Sequence, residues 1–179
     1  SLIDIAASLA ASMIFDYDVS KYNFRTYYGN DETVFESPGY CIPSTTLTRY
    51  PFTEYHTNFD TPELISEDKL SEVYLLLLKI IGIVETNIIA YDPPHGLFCL
   101  SHPDYQLYRS AVEPGISDAG TEATDKRWNL LMNCLPRLID AEVSVAELAH
   151  KYQLPYDEVL EYVCSWSKKG LSKIKFANP

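Results

Sequence analysis

The segment from Ser66 to Glu85 constrains the fold most strongly, because its apolar residues recur at the spacing of a long helix. Ser66 is placed to cap this helix, and Glu67 and Asp68 lie in its first turn, where the helix dipole favours acidic side chains. The apolar positions at helical spacing are Leu70, Val73, Tyr74, Leu77, Ile81 and Val84. The pattern therefore predicts a helix that ends near Glu85.

Helices and short strands are predicted to alternate before this segment. A first helix is predicted over residues 3–14, and the segments Tyr22 to Tyr28 and Ser44 to Tyr50 have the composition of strands. This alternation favours an α/β layer, in which functional loops follow the carboxyl ends of strands. Asp31 and His56 each follow one of these strands, so we expect both on the face where such folds place their chemistry.

The charge and the cysteines of the chain limit the classes of partner. The 179 residues include 25 acidic and 14 basic side chains, and residues 1–124 hold 18 of the acidic and only 6 of the basic ones. An acidic surface repels phosphate backbones and anionic lipid, so we expect neither nucleic acid nor a membrane as partner. Four separated cysteines without a CxxC pair argue against a zinc ribbon or a disulfide framework and indicate a cytoplasmic protein.

From residue 125 onward the pattern changes to three short helical runs. Ser144 and Glu147 form a capping box for a helix that runs through Tyr152, and a proline turn leads to a third helix, Tyr156 to Ser167. A glycine turn and a strand follow, and this order is typical of a winged helix. Pro136 is expected to kink or stop the first of the three helices.

A candidate site lies in residues 50–61, YPFTEYHTNFDT, immediately before the long helix. This loop presents His56 and a nearby carboxylate. Neutral imidazole is a good zinc ligand, and catalytic zinc sites use three protein ligands and one open position. Because ligands come in sets, an isolated loop histidine is more often solvated or structural, and the residues alone leave both interpretations open.

The order of motifs in the first half of the chain resembles the C-terminal end of zinc-dependent di-metal aminopeptidases. It is most similar to bacterial aminopeptidase-like proteins, some associated with polysaccharide biosynthesis, that end in a winged-helix domain. The residues that carry the resemblance are Gly29, Asn30, Asp31, Glu32, Phe35, Ser37, Pro38, Gly39, Glu54, Tyr55, His56, Thr57 and Asp60. It covers residues 3 to about 90 and about 105 to 175.

The resemblance implies a domain organisation. Residues 1–90 would be a partial aminopeptidase-like α/β domain, comprising the last strands and helices of a parallel-type sheet. Residues 91–120 would be a connecting segment, and residues 121–179 an α+β winged-helix domain. Residues 87–91 have the composition of one more strand.

The resemblance also implies roles for three residues. In that family a His-Thr pair followed by an aspartate supplies the final metal ligand, so His56 would bind zinc. Asp31 and Glu32 occupy the place of an Asp-His pair and would orient the site or bind substrate. From the residues alone, Asn30 and Asp31 fit an Asx turn equally well. Glu32 departs from the common histidine and matches the aminopeptidase-like branch.

The other metal ligands of that family would lie upstream of this chain, and its remaining histidines do not replace them. We therefore expect the C-terminal portion of a zinc hydrolase that cleaves an amide bond of a peptide-like substrate in the intact parent and is inactive by itself. An unpaired sheet edge and an apolar flank would also favour a homo-oligomer.

The alternative class is a non-enzymatic interaction or regulatory protein, whose winged helix binds a partner protein or DNA. The third helix of the winged-helix pattern bears on that choice. It carries Asp157, Glu158 and Glu161 and no basic residue, which disfavours DNA.

Overall fold

The chain forms two compact units, Ser1–Val84 and Glu85–Pro179. The computed structural model describes residues 1–17, 19–23, 26, 29–97, 99–109 and 119–177. Its secondary structure is α+β, with helices and one two-stranded antiparallel sheet in the described residues. Across these residues, no helix combines the length and the apolar character that crossing a bilayer would require.

The first unit is organised by two long helices. Helix α1 spans Leu2–Ile14, α2 is a single turn at Glu32–Phe35, a 3-10 turn follows at Pro62–Leu64, and α3 spans Glu67–Thr86. The capping box that opens α1 pairs the side chains and backbone of Ser1 and Asp4. The buried positions of the two long helices are Ala6, Leu9, Ala10 and Ala11 on α1, and Leu76, Ile80 and Ile83 on α3. Both helices confirm the sequence prediction to within one residue at each end.

The strands predicted for the first unit have a different outcome. Residues 44–50 are irregular, so the strand predicted from Ser44 to Tyr50 is wrong, and the described residues of this unit contain no strand. An extended segment needs a neighbour to pair its backbone groups, and β composition alone does not supply one. The strand predicted from Tyr22 to Tyr28 lies largely outside the described residues. A parallel-type sheet is therefore not shown.

The second unit begins and ends with paired strands. Strand β1 spans Ile88–Tyr91, followed by helices α4 (Ala119–Asp140), α5 (Val145–Tyr152) and α6 (Tyr156–Lys168) and by strand β2 (Lys173–Phe176). The two strands are antiparallel, with Ile88 opposite Phe176 and Tyr91 opposite Lys173. Ser144 forms a further antiparallel bridge to Ile89. The extra strand predicted near residue 88 is thus confirmed, and it pairs within the second unit.

The three helices enclose an apolar core. Its buried side chains include Trp128, Leu131, Leu135 and Ile139 from α4, Val145, Leu148 and Ala149 from α5, and Val159, Val163 and Trp166 from α6. These spacings place one face of each helix inward. The predicted capping box of α5 is confirmed, since Ser144 Oγ accepts from Glu147 N at 3.3 Å and the Glu147 carboxylate accepts from Ser144 N at 2.9 Å.

Helix α4 continues through Pro136 to Asp140, so the proline does not stop it. Proline removes one hydrogen bond and crowds the preceding turn. Leu135 and Ile139, on either side of it, are 0% and 1% exposed. Burial of this apolar face offsets the backbone cost and keeps the last turn helical.

Candidate functional site

The loop before α3 is shaped by a series of short hydrogen bonds. Tyr55 N donates to Phe52 O at 3.2 Å, and Thr57 N donates to Glu54 O at 3.0 Å. The Thr57 hydroxyl donates to the same Glu54 carbonyl at 2.6 Å and accepts from Phe59 N at 3.1 Å. Consecutive turns closed by a threonine side chain give this loop a defined shape.

These turns present His56 at the surface. Its φ of 64° lies in the left-handed region, which costs a non-glycine residue about 1–2 kcal/mol. The exposed imidazole stacks on the ring of Tyr55, with centroids 3.9 Å apart and an interplanar angle of 22°. Tyr55 in turn meets the edge of Phe52 at 5.6 Å. Among the described residues neither imidazole nitrogen has a hydrogen-bond partner, so both remain available to a ligand.

An ion-pair cluster fixes the start of the loop to α3. Glu72 on α3 forms an ion pair with Arg49 and a second one with Lys69 at 2.6 Å. The hydrogen bonds from Lys69 and Arg49 lower the pKa of Glu72 from its ordinary value. Arg49 precedes the loop that carries His56, and α3 follows it. The ion pairs of Glu72 therefore connect the two ends of this loop.

Asp31 and Glu32 lie at the start of α2 in different environments. Glu32 is 9% exposed, and both of its carboxylate oxygens accept from Asn30 N, at 2.9 and 2.7 Å. Asp31 is exposed, and its side chain makes no capping hydrogen bond to α2, although its carbonyl accepts from Val34 N at 2.9 Å. Glu32 therefore stabilises its own turn, whereas the Asp31 carboxylate faces solvent.

The three predicted residues do not form a metal-ligand set. No group of three His, Cys, Asp or Glu side chains able to hold a metal ion occurs within the described ranges, which contain Asp31, Glu32 and His56. A zinc ion needs three or four protein ligands. Within these ranges His56 therefore belongs to no set of three such side chains.

Sequence reasoning assigned no positioning role to Tyr55 or Glu72, which position the loop. The aromatic residue directly before the histidine was a signal for Tyr55, because neighbouring rings in a turn can stack. The tie between Glu72 and Arg49 gave no local signal, since the two residues lie 23 positions apart.

Comparison with known protein families identifies a match in the first part of the chain. A family model described as a domain of unknown function (DUF4910) matches residues 3–87. No curated protein and no solved structure matches the chain. The matched residues include α1 from its second residue onward, α2, the His56 loop and the whole of α3.

Proposed function

We propose that this chain is the C-terminal portion of a cytoplasmic, zinc-dependent aminopeptidase-like hydrolase that cleaves an amide bond of a peptide-like substrate. The observation that carries the proposal is the presentation of His56. Its backbone conformation, the stacked Tyr55 ring and the turn closed by Thr57 expose an imidazole without a partner among the described residues. An imidazole presented in this way can serve as one ligand of a metal ion whose other ligands are different residues.

The organisation of the chain gives further support. In the proposal, residues 1–90 belong to an aminopeptidase-like domain, and residues 121–179 are a winged helix. The order of α4, the capped α5, α6 and β2 in the second unit fits a winged helix. The resemblance in sequence joins both parts in one family of proteins.

The proposal assigns separate roles to the two carboxylates near α2. The exposed Asp31 carboxylate is suited to orient the site or to bind a cationic amine of a substrate, because an anion at the surface attracts a positive group. Glu32 holds the turn that positions Asp31, since its oxygens accept from Asn30 N. In the proposal this chain supplies one metal ligand, His56, and two carboxylates that do not bind the metal. It is therefore inactive by itself.

Zinc content of the purified protein tests the proposal. The 179-residue chain should retain little zinc after dialysis, whereas an N-terminally extended form should retain it stoichiometrically. In the extended form His56→Ala should weaken zinc binding roughly tenfold or more, because a ligand is removed. Elemental analysis of each sample gives the ratio of zinc to protein.

His150→Ala is the matched control, because His150 is exposed on α5, within the second unit. It should leave the zinc content of the extended form unchanged. Stoichiometric zinc in the 179-residue chain that survives dialysis and is lost on replacing His95 or His102 would contradict the assignment of His56.

A second candidate is an interaction or regulatory protein that binds a partner protein through its winged helix. The compact second unit favours it, because α6 exposes Asp157, Glu158 and Glu161 on a well-packed support. DNA is a less suitable partner for this acidic helix. Absence of zinc from the extended form would favour this candidate.

A further inference from the structure

Helix α3 is apolar on two faces, of which only one is buried. Leu76, Ile80 and Ile83 form the buried face. At about 100° per residue, a second set of apolar side chains projects from the opposite side. Its members are 45–62% exposed: Leu70 60%, Tyr74 62%, Leu77 45%, Leu78 48% and Ile81 55%. Helices that are apolar all round are normally covered on every side.

The spacing of the exposed set identifies the kind of structure that fits it. Four of its members, Leu70, Tyr74, Leu77 and Ile81, and the half-buried Val84 that follows them are separated by intervals of four, three, four and three residues. This is the alternation of the a and d positions that line the contact between two helices of a coiled coil. We call these five residues the α3 seam. The seam therefore fits another helix with the same spacing.

The charges of α3 favour an identical partner. Between the ends of the seam, α3 carries only two charged residues, Glu72 and Lys79, and both occupy the f position, which points away from the contact. Each chain carries a net charge of −11. A second copy would nevertheless bring no like charge into the seam, because the five seam residues are uncharged. A membrane surface is disfavoured, because α3 itself carries only two cations, Lys69 and Lys79.

We propose that the α3 seam pairs with the α3 seam of a second copy of this chain, antiparallel and about a two-fold axis. Leu70 then packs on Ile81 of the partner subunit, and Tyr74 packs on Leu77 of the partner subunit. The two-fold axis repeats each of these two contacts, so four apolar contacts form along the seam. In this antiparallel arrangement Glu67, at the a position before the seam, lies opposite Val84 of the partner subunit. In a parallel arrangement the two copies of Glu67 would lie opposite each other. This inference goes beyond the proposed hydrolase function and does not depend on zinc.

Sedimentation equilibrium of the 179-residue chain tests the pairing. The wild type should form a concentration-dependent dimer. Leu77→Glu should weaken dimerisation by roughly 100-fold or more, because the symmetry brings two carboxylates into an apolar contact. Leu75→Glu is the matched control: Leu75 is also an exposed leucine of α3, at 54%, but it lies outside the seam. It should dimerise as the wild type does, and circular dichroism should show equal helix content in all three proteins.

Disulfide trapping tests the direction of the pair. With the exposed Cys41 and Cys99 replaced by serine, the double variant Leu70→Cys, Ile81→Cys should form a cross-linked dimer on mild oxidation. The two positions lie about 16 Å apart along one helix, so they cannot pair within a chain. Neither single variant should cross-link. A wild type that stays monomeric, a control that dissociates like Leu77→Glu, or single variants that cross-link would overturn the proposal.

Discussion

Asn87 Oδ1 accepts a 3.0 Å hydrogen bond from the backbone amide of Ala146, and the Asn87 residue is only 1% exposed. Ala146 N belongs to the first turn of α5, where amides have no partner within the helix. Asn87 O also accepts from Ala177 N at 2.9 Å. One asparagine therefore joins the start of β1, the first turn of α5 and the residue after β2.

Replacing this asparagine should destabilise the second unit. Asn87→Ala leaves the buried Ala146 amide without its acceptor, which should lower the free energy of unfolding by about 1–3 kcal/mol. Urea unfolding followed by tryptophan fluorescence reports on this unit, because Trp128 and Trp166 are both buried there. Asn133→Ala is the control: its exposed amide donates to Asn129 Oδ1 at 3.0 Å, and the change should be within about 0.5 kcal/mol. Equal losses in both variants would contradict the role of Asn87.

The stability of the second unit should fall at high pH. Burial and a hydrogen bond with Cys134 raise the pKa of Tyr152 to about 12, and burial also raises the pKa of Tyr156 and Tyr162. The unfolded chain, with a tyrosine pKa of about 10, loses its protons first. The contribution of Tyr152 is therefore complete below about pH 10 and is lost as the pH rises to about 12.

Tyr152→Phe should accordingly make the fall in stability shallower over this range. Urea unfolding at a series of pH values gives the slope, and ultraviolet difference absorbance follows tyrosine ionisation. A slope equal to that of the wild type would show that Tyr152 does not titrate differently in the folded and unfolded chains.

We expect no binding of duplex DNA at physiological salt. In the second unit Lys173 pairs with Asp92 at 2.7 Å, and Lys175 pairs with Glu142 at 2.5 Å. Lys169 Nζ is 3.0 Å from the carbonyl of Asp104. These cations are already engaged, and binding a phosphate backbone needs clustered free cations.

Fluorescence anisotropy of a labelled generic duplex, at low and moderate salt, measures this expectation. The triple variant with Lys168, Lys169 and Lys173 changed to glutamate is the comparison protein. Submicromolar, salt-sensitive binding by the wild type that disappears in this variant would favour the regulatory candidate over the hydrolase portion.

Local signals in the sequence predicted the helices well, and pairings between distant residues limited the rest. The capping box at Ser144 contains its own partner three residues later, so it fixes the start of α5 without tertiary information. The strand at Ile88–Tyr91 was predicted from composition, but its pairing with Lys173–Phe176 is a contact that no local pattern contains. The Thr-rich segment after Ser44 had strand composition without a neighbour, and it is irregular.

The same distinction applies to the candidate site. The sequence placed His56 in a loop before a long helix, and the structure confirms that position. The stacking of Tyr55 on its ring and the tie between Arg49 and Glu72 depend on three-dimensional arrangement. Zinc binding stays a prediction, because the ligands of a metal ion are often distant in the sequence. A local pattern can identify one ligand, such as His56, but not the whole set.

The pairing of β1 with β2 also sets the order of events during synthesis on the ribosome. Ile88 and its partner Phe176 are 88 positions apart. At about 5–20 residues per second, β1 is made roughly 4–18 s before its partner strand exists. During that interval the edge of β1 is open to wrong partners. The helices between the two strands can form in this time, because their hydrogen bonds are local. The sheet can form only after the ribosome releases β2.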